Sequence, residues 1–346
     1  MRAVVYREPG RVEVADVPEP ELEDPRDAIV RVTRSAICGS DLHFFHGKAP
    51  LEPGDVIGHE AVGVVERVGS DVSSLTPGQR VVVAFNIVCG ECWFCRNDQT
   101  ALCEDFRNLG AGIFGGGLAG TQAELVRVPN ADVNLLAVPE LVDDEAALFV
   151  GDVLTTGLYA AGIAGIRAGD TVAVVGAGPV GYFAIQGARL HDPAVVVAID
   201  LEPDRLALAE KSGAVTLNPT EQNPQTALAE RTDGRGADVV IEAVGRPEAF
   251  ETALKIVRRG GTVVVVGMYT SETYPAQLGV WWARTLDLRF AGVCPIHVWW
   301  RRAMAEVEAG RLDPMPLISH RLPLQDAALG YELFESRRAT KVLLVP

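Results

Sequence analysis

The sequence contains no apolar run of about 18 residues free of glycine, proline and charge, so no membrane-spanning helix is expected. It is short of basic residues: 31 Lys and Arg stand against 46 Asp and Glu, a formal net charge of −15. A nucleic-acid binder needs a basic face to displace counterions, and docking on an anionic membrane needs cations as well; neither partner is expected. Cysteine is scarce too: six in 346 residues are too few for a disulfide scaffold. The first ten residues carry Arg2, Arg7 and Glu8 and lack the apolar core, roughly 7–15 residues long, of a signal peptide, which points to a reducing cytoplasmic setting. Internal repeats and long low-complexity segments are also missing. What remains, 48% hydrophobic and 22% charged, is the composition of an ordinary globular protein, too apolar for disorder and long enough for about two domains.

The texture changes near residue 145. Before it, short β-branched runs at 28–33, 61–68 and 80–84 are separated by turn chemistry such as Thr76-Pro77-Gly78-Gln79, the pattern of a strand-rich, loop-rich domain. After it, continuous apolar runs at 172–175, 195–199, 239–242 and 262–266 read as parallel strands buried on both faces. Helical stretches at 179–190, 203–212 and 247–258, each with proline in its first turn, alternate with them. Such βα alternation predicts an α/β class with a doubly wound sheet. The tail from about 290 returns to mixed texture and ends in an apolar strand over 341–345.

Val174-Val175-Gly176-Ala177-Gly178-Pro179-Val180-Gly181 contains G-x-G-x-x-G. Alone the pattern is weak, but here it follows an apolar strand and opens a helix, where a pyrophosphate approaches the helix N-terminus. Nineteen residues after Gly181 the next strand ends at Asp200, a carboxylate placed to accept ribose hydroxyls and repel a 2′-phosphate, which favours NAD over NADP. Arg205 flanks the adenosine or is a solvated helix residue. Val244-Gly245 and Gly267-Met268 follow two further strands and point to the same crevice, unless they are plain βα turns.

Cys89, Cys92, Cys95 and Cys103 place four thiolates on one loop. Zinc takes four such ligands in a closed, structural shell; an iron–sulfur cluster would use the same donors, whereas a CxxC redox pair leaves two unexplained. Cys38 and the Gly58-His59-Glu60 triplet, twenty-one residues on, offer two more metal ligands, although a lone Cys and a lone His read by themselves as buried packing.

Taken together and in this order, Cys38-Gly39-Ser40-Asp41-Leu42-His43, Gly58-His59-Glu60, the four-cysteine lobe, the glycine loop and Asp200 resemble the zinc-dependent medium-chain alcohol dehydrogenase family over essentially the whole chain. The resemblance implies a GroES-like β-rich catalytic domain over 1–150 and 290–346 and a Rossmann domain over 151–289. It implies a catalytic zinc on Cys38, His59 and Asp152, the last standing where many members have Cys, with Glu60 able to approach or replace the solvent ligand. It gives two zinc ions per chain, Asp41 as the carboxylate orienting the zinc-held imidazole, and a proton relay from Ser40 through the nicotinamide ribose to His43. Thr156 resembles the residue packed behind the nicotinamide, and Lys341 or a nearby arginine is expected at the pyrophosphate. The lobe segments 85–90 and 122–129 look like the formaldehyde-dehydrogenase-like branch with its bacterial alcohol dehydrogenase relatives.

The resemblance implies reversible hydride transfer between an alcohol, held at zinc opposite its aldehyde or ketone, and exchangeable NAD. The partner is then a small molecule, and the chain a homo-oligomer, a tetramer rather than a dimer. The alternatives are an NAD-dependent polyol dehydrogenase and a zinc- and NAD-binding redox sensor without turnover. The pairs Trp281-Trp282 and Trp299-Trp300 read equally as an apolar pocket wall, which disfavours polyols, and as core or interface anchors. His46, His191, His297 and His320 lack ligand spacing and read as structural or exposed, and Cys294 as a small buried hydrophobe.

Overall fold

The computed structural model describes residues 1–48, 50–269 and 273–346. The chain divides into two compact units, one of Met1–Asp152 with Pro295–Pro346 and one of Val153–Cys294. The boundaries expected at 150 and 290 both move toward higher numbers, and Asp152 falls in the first unit with the other proposed metal ligands.

The first unit is built on a seven-stranded sheet. Its long central strand Ala28–Ile37 pairs antiparallel with Glu60–Val68 on one side and, near its start, with Leu125–Val128. The C-terminal strand Val342–Val345 pairs with the other end of Ala28–Ile37, Ile37 facing Val342, so the tail completes the sheet of the N-terminal segment. Inward-facing Val30, Val65, Val81, Val83 and Val126 fill one core, and Ile37, Phe45, Tyr331 and Leu344 a second. Alternation of these β-branched residues with exposed ones such as Arg31 is what selects strand over helix here.

The second unit holds six strands, all parallel, in the order Val215–Leu217, Val195–Ile199, Thr171–Val175, Ala237–Glu242, Val257–Val265, Asp287–Phe290. The chain moves outward one way from Thr171–Val175 and then returns to its other side at Ala237–Glu242. Ligands of open α/β sheets bind at such a reversal, outside the carboxyl ends of the strands. Both faces are covered, by clusters around Val172, Val174 and Ile241 on one side and Ala173, Val240 and Phe250 on the other.

Four helices of this unit begin with proline: Pro179–Arg189, Pro203–Lys211, Pro224–Arg231 and Pro247–Ile256. Proline lacks an N–H that the first turn would leave unpaired anyway. Pro224–Arg231 has too little apolar periodicity to stand out in the sequence, but Asn223 caps it by accepting the N–H groups of Gln225 and Thr226. The helix expected over 247–258 stops at Ile256 because Val257 is already extended and pairs with Ala237; the following strand therefore starts five residues before the expected 262. Among the described residues no single helix is long and apolar enough to cross a membrane.

Candidate metal centres and dinucleotide loop

The first constellation is assembled by the sheet of the first unit. Cys38 leaves the end of strand Ala28–Ile37, and Ala36 there is paired with Glu60, which brings His59 alongside. Asp152 follows the short turn Phe149–Gly151. Sγ of Cys38 lies 3.5 Å, and Nε2 of His59 3.2 Å, from Oδ2 of Asp152. A tetrahedral shell with bonds of about 2.1–2.3 Å has edges of roughly 3.4–3.6 Å, so both distances are close to edges of one such shell. They form a buried thiol–imidazole–carboxylate set suited to zinc, with Glu60 inside the same cluster.

The groups around the ligands set their charge. Asp41, 3% exposed, holds Nδ1 of His59 at 3.0 Å through Oδ1 and accepts the Cys38 N–H at 2.9 Å through Oδ2. This fixes Nε2 as the ring atom facing Asp152. Burial alone would depress the His59 pKa, but Asp41 and Asp152 outweigh it and hold the imidazole well above its usual range. Burial raises the Cys38 thiol, and the carboxylates of Asp152 and Glu60 raise it further. Two carboxylates converging on one imidazole make a site that attracts positive charge, and a divalent cation there competes with the proton. Ser40 places Oγ 3.3 Å from Nε2 of His59, at the rim of the cluster, and His43 follows on the helix Asp41–Phe45.

Lys341 departs from its expected place at a pyrophosphate. It is 1% exposed, ion-paired with Glu60, and its ammonium lies 5.9 Å from the Phe149 ring centre. A cation this deep, already matched to a buried carboxylate, is committed to the interior of the first unit. Burial pushes the Glu60 carboxyl up to about 7 even with Lys341 beside it; Glu60 in turn holds the Lys341 ammonium above its ordinary value against the opposing effect of burial.

The second constellation is the loop 89–103. Sγ of Cys89 lies 3.5 Å from that of Cys103 and 4.0 Å from that of Cys95, close to the roughly 3.8 Å edge of a tetrahedron with Zn–S bonds near 2.3 Å. The backbone is wrapped around the sulfurs: Cys89 accepts the N–H of Glu91 at 3.4 Å and of Cys92 at 3.3 Å, and Cys92 accepts that of Cys95 at 3.5 Å. Donors from Glu104 and Cys95 lower the Cys92 thiol to about 6. Four thiols gathered in this way, with backbone N–H groups pointing at the sulfurs, fit a closed zinc shell, and burial raises the Cys95 and Cys103 thiols so long as no cation is there.

In the second unit the glycine loop closes the carboxyl end of strand Thr171–Val175. Gly176 takes φ +94°, and a Cβ at Gly181 would fall 1.8 Å from the Gly176 carbonyl oxygen, so only glycine lets the helix Pro179–Arg189 start this near the strand. Asp200 accepts the Ala177 N–H at 2.7 Å and the Glu202 N–H at 2.9 Å, while Arg205 lies 3.8 Å from the same carboxylate and beside Gly178. Glu242 ties down the neighbouring loop by accepting the Val244 and Gly245 N–H groups at 2.8 Å each. A Cβ on Gly245 would strike the Met268 carbonyl and one on Gly267 the Gly245 nitrogen, so these two strand ends meet. Thr156, half-buried, sits on the helix Val153–Ile163 next to Gly157, where that helix packs on Val180 and Phe183.

The tryptophans separate. Trp281, partly buried, stacks with Tyr274 against the core of the second unit, and Trp300 is buried in the first, edge-on to His297. One of the four rings is thus a core anchor and a second packs on a core, which weakens the case they made for an apolar substrate cleft. His46 faces Glu335, His320 bonds Ser319, and His297 bonds Asn134. Sequence reasoning missed the groups behind the ligands: the Glu60–Lys341 pair, and Gln122, which donates to Asp41. No spacing signal marks either of them.

Two metal-type clusters in a β-rich unit and a glycine loop at the switch point of a parallel sheet define a metal- and dinucleotide-dependent dehydrogenase. The Alcohol dehydrogenase GroES-like domain family matches residues 24–140, and the Zinc-binding dehydrogenase family matches residues 179–305. An alcohol dehydrogenase of Cupriavidus necator is 38% identical, covering 98% of this chain and 96% of its own. The structure of alcohol dehydrogenase TADH from Thermus sp. ATN1 superimposes with a TM-score of 0.96 at 43% identity, covering 100% of this chain and 99% of its own. A putative zinc-binding dehydrogenase from Sinorhizobium meliloti, solved with NADP, gives 0.88 at 31% identity, covering 100% and 99%. The chain belongs to the zinc-dependent medium-chain alcohol dehydrogenase family, with a GroES-like domain and a Rossmann-like domain, and is an oxidoreductase.

Proposed function

We propose that this enzyme oxidises a small alcohol reversibly with NAD rather than NADP, and that each chain holds two zinc ions, one catalytic and one structural. The observation that carries the cofactor reading is Asp200, whose carboxylate stands beside the glycine loop on the N–H of Ala177 and neutralises Arg205. A negative group there accepts ribose hydroxyls and opposes a 2′-phosphate. When bound, zinc polarises the alcohol oxygen and the dinucleotide accepts the hydride. Cys38, His59 and Asp152 hold the metal, and Asp41 keeps His59 in the tautomer that ligates through Nε2. Ser40, with its hydroxyl 3.3 Å from that nitrogen, would take the alcohol proton, and His43 would release it to solvent. Cys89, Cys92, Cys95 and Cys103 hold the structural ion and fold the lobe around it. The lobe segments support a place in the formaldehyde-dehydrogenase-like branch.

Calorimetric titration of Asp200→Ala tests the cofactor reading: NAD binding weakens more than NADP binding, and an unchanged preference refutes it. Metal analysis finds two zinc ions per chain; one or none refutes the two-site assignment. A screen of primary, secondary, aromatic and polyhydroxy alcohols separates a plain alcohol dehydrogenase from a polyol enzyme. We further propose a cytoplasmic homo-oligomer, a tetramer. The edge strand Asp287–Phe290 with Phe290 70% exposed, and the nearby Trp282 at 84%, support self-association, and light scattering that finds a monomer refutes it.

A further inference from the structure

Asp41 serves both the imidazole of one metal ligand and the backbone of another, so whatever fixes this carboxylate fixes the geometry of the centre. Its second oxygen also accepts Nε2 of Gln122 at 3.3 Å. Gln122 is 0% exposed, and its other amide hydrogen goes to the Ala36 carbonyl at 3.2 Å. Both of these partners are acceptors only, so the amide must face them with its nitrogen. Its oxygen, turned the other way, accepts the Tyr331 hydroxyl at 3.1 Å. Tyr331 is likewise 0% exposed, stands on the C-terminal helix Ala327–Glu335, and is held by stacking on Phe45 at 5.2 Å. The Gln122 backbone is pinned as well, donating to Ile57 and accepting from Val4, and its side chain lies against Gly58, where a Cβ would come within 2.4 Å of Cγ.

We propose that Gln122 and Tyr331 are positioning residues of the catalytic metal centre: Tyr331 sets the orientation of the Gln122 amide, and Gln122 sets the Asp41 carboxylate that aims His59. This rests on the assignment of Cys38, His59 and Asp152 as a zinc shell. The physical need is plain. Without the Tyr331 hydroxyl the buried amide oxygen loses its donor, and rotation of the amide would turn that oxygen onto the Asp41 carboxylate, where two acceptors repel. Without the Gln122 amide, Asp41 keeps its bonds to His59 and Cys38 but loses the third donor, which helps hold Oδ2 in place. Carboxylates that orient a metal-held histidine normally influence metal affinity, and their own supports act through them.

The test uses the zinc-loaded enzyme with a chelator and a chromogenic zinc indicator, because the four-cysteine site in the same chain serves as an internal reference. Gln122→Met keeps the side-chain length and removes both polar groups; Tyr331→Phe removes one oxygen and keeps the ring on Phe45. Gln122→Met weakens zinc at the catalytic centre about 10–100-fold and leaves the cysteine site at the wild-type value, with Tyr331→Phe smaller in the same direction. Cobalt substitution gives a second readout, with the visible bands of the catalytic ion shifting in both variants. Equal weakening of both sites would mean a merely structural role and would overturn the proposal, as would unchanged affinity and unchanged bands in both variants. If Gln122→Met does not fold, Tyr331→Phe decides alone. A wild-type chain that binds only the lobe ion would overturn the zinc assignment itself, a result distinct from two bound ions with no variant effect.

Discussion

The Lys341→Met substitution tests the deepest electrostatic feature of the first unit. Lys341 and Glu60 are 1% and 0% exposed and form an ion pair beside the metal ligands. At an effective dielectric of about 20, two unit charges at hydrogen-bond contact attract by roughly 5 kcal/mol. Most of this offsets the desolvation of the two charges, so the pair itself adds little to stability. Removing one partner is different, because the other stays buried and uncompensated, at a cost of about 3–5 kcal/mol. The first unit comprises 204 residues. For a unit of that size each kcal/mol moves Tm by about 2–4 °C, so Lys341→Met lowers its transition by roughly 6–20 °C. Scanning calorimetry of wild type and variant at one fixed pH and zinc content measures it. Combining Lys341→Met with Glu60→Met removes both charges and restores most of the loss. A single-variant shift under about 2 °C, or a double variant no better than the worse single, would refute the reasoning.

His297 gives the acid limb of stability. Its Nε2–H donates to Oδ1 of Asn134 at 2.8 Å, and burial lowers its pKa to about 4 from 6.5. Below 6.5 the unfolded chain takes a proton that the folded chain refuses, so stability falls as pH drops from 6.5 toward 4 and is unaffected above about 7; the loss reaches about 2 kcal/mol by pH 5. Denaturant titrations at pH 7 and pH 5 should show this difference in the wild type and not in His297→Leu; equal pH dependence in both removes His297 as the cause. Cys103→Ser should leave one zinc ion per chain and make the segment 89–103 readily cleaved by protease, with NAD binding to the second unit unchanged. Retention of two ions would rule out the four-thiolate shell.

The sequence made the local devices legible and left the supporting ones hidden. The glycine loop, Asp200 and the four cysteines are encoded within short spans, where spacing dictates geometry: a turn that only Gly181 permits, thiolates three or eight residues apart on one loop. The parallel sheet was legible for the same reason, since strands buried on both faces read as continuous apolar runs. Cys38, His59 and Asp152 carry no such spacing, and only resemblance joined them; in the structure they meet because Ala36 pairs with Glu60 and the chain returns at Phe149–Gly151. Lys341 shows what that kind of inference misses. It leads into the strand Val342–Val345, which pairs with the end of Ala28–Ile37 that runs into Cys38, and this sheet register carries its ammonium to Glu60. Gln122 and Tyr331 follow the same rule, being 81 residues from Asp41 and 209 residues apart. Ligands are chemically distinctive and can be found one residue at a time, whereas the groups that aim them are ordinary amides, phenols and ammonium ions. Their roles exist only once non-local sheet pairing has placed them, so the accuracy of this centre depends on the C-terminal segment as much as on the residues that hold the metal.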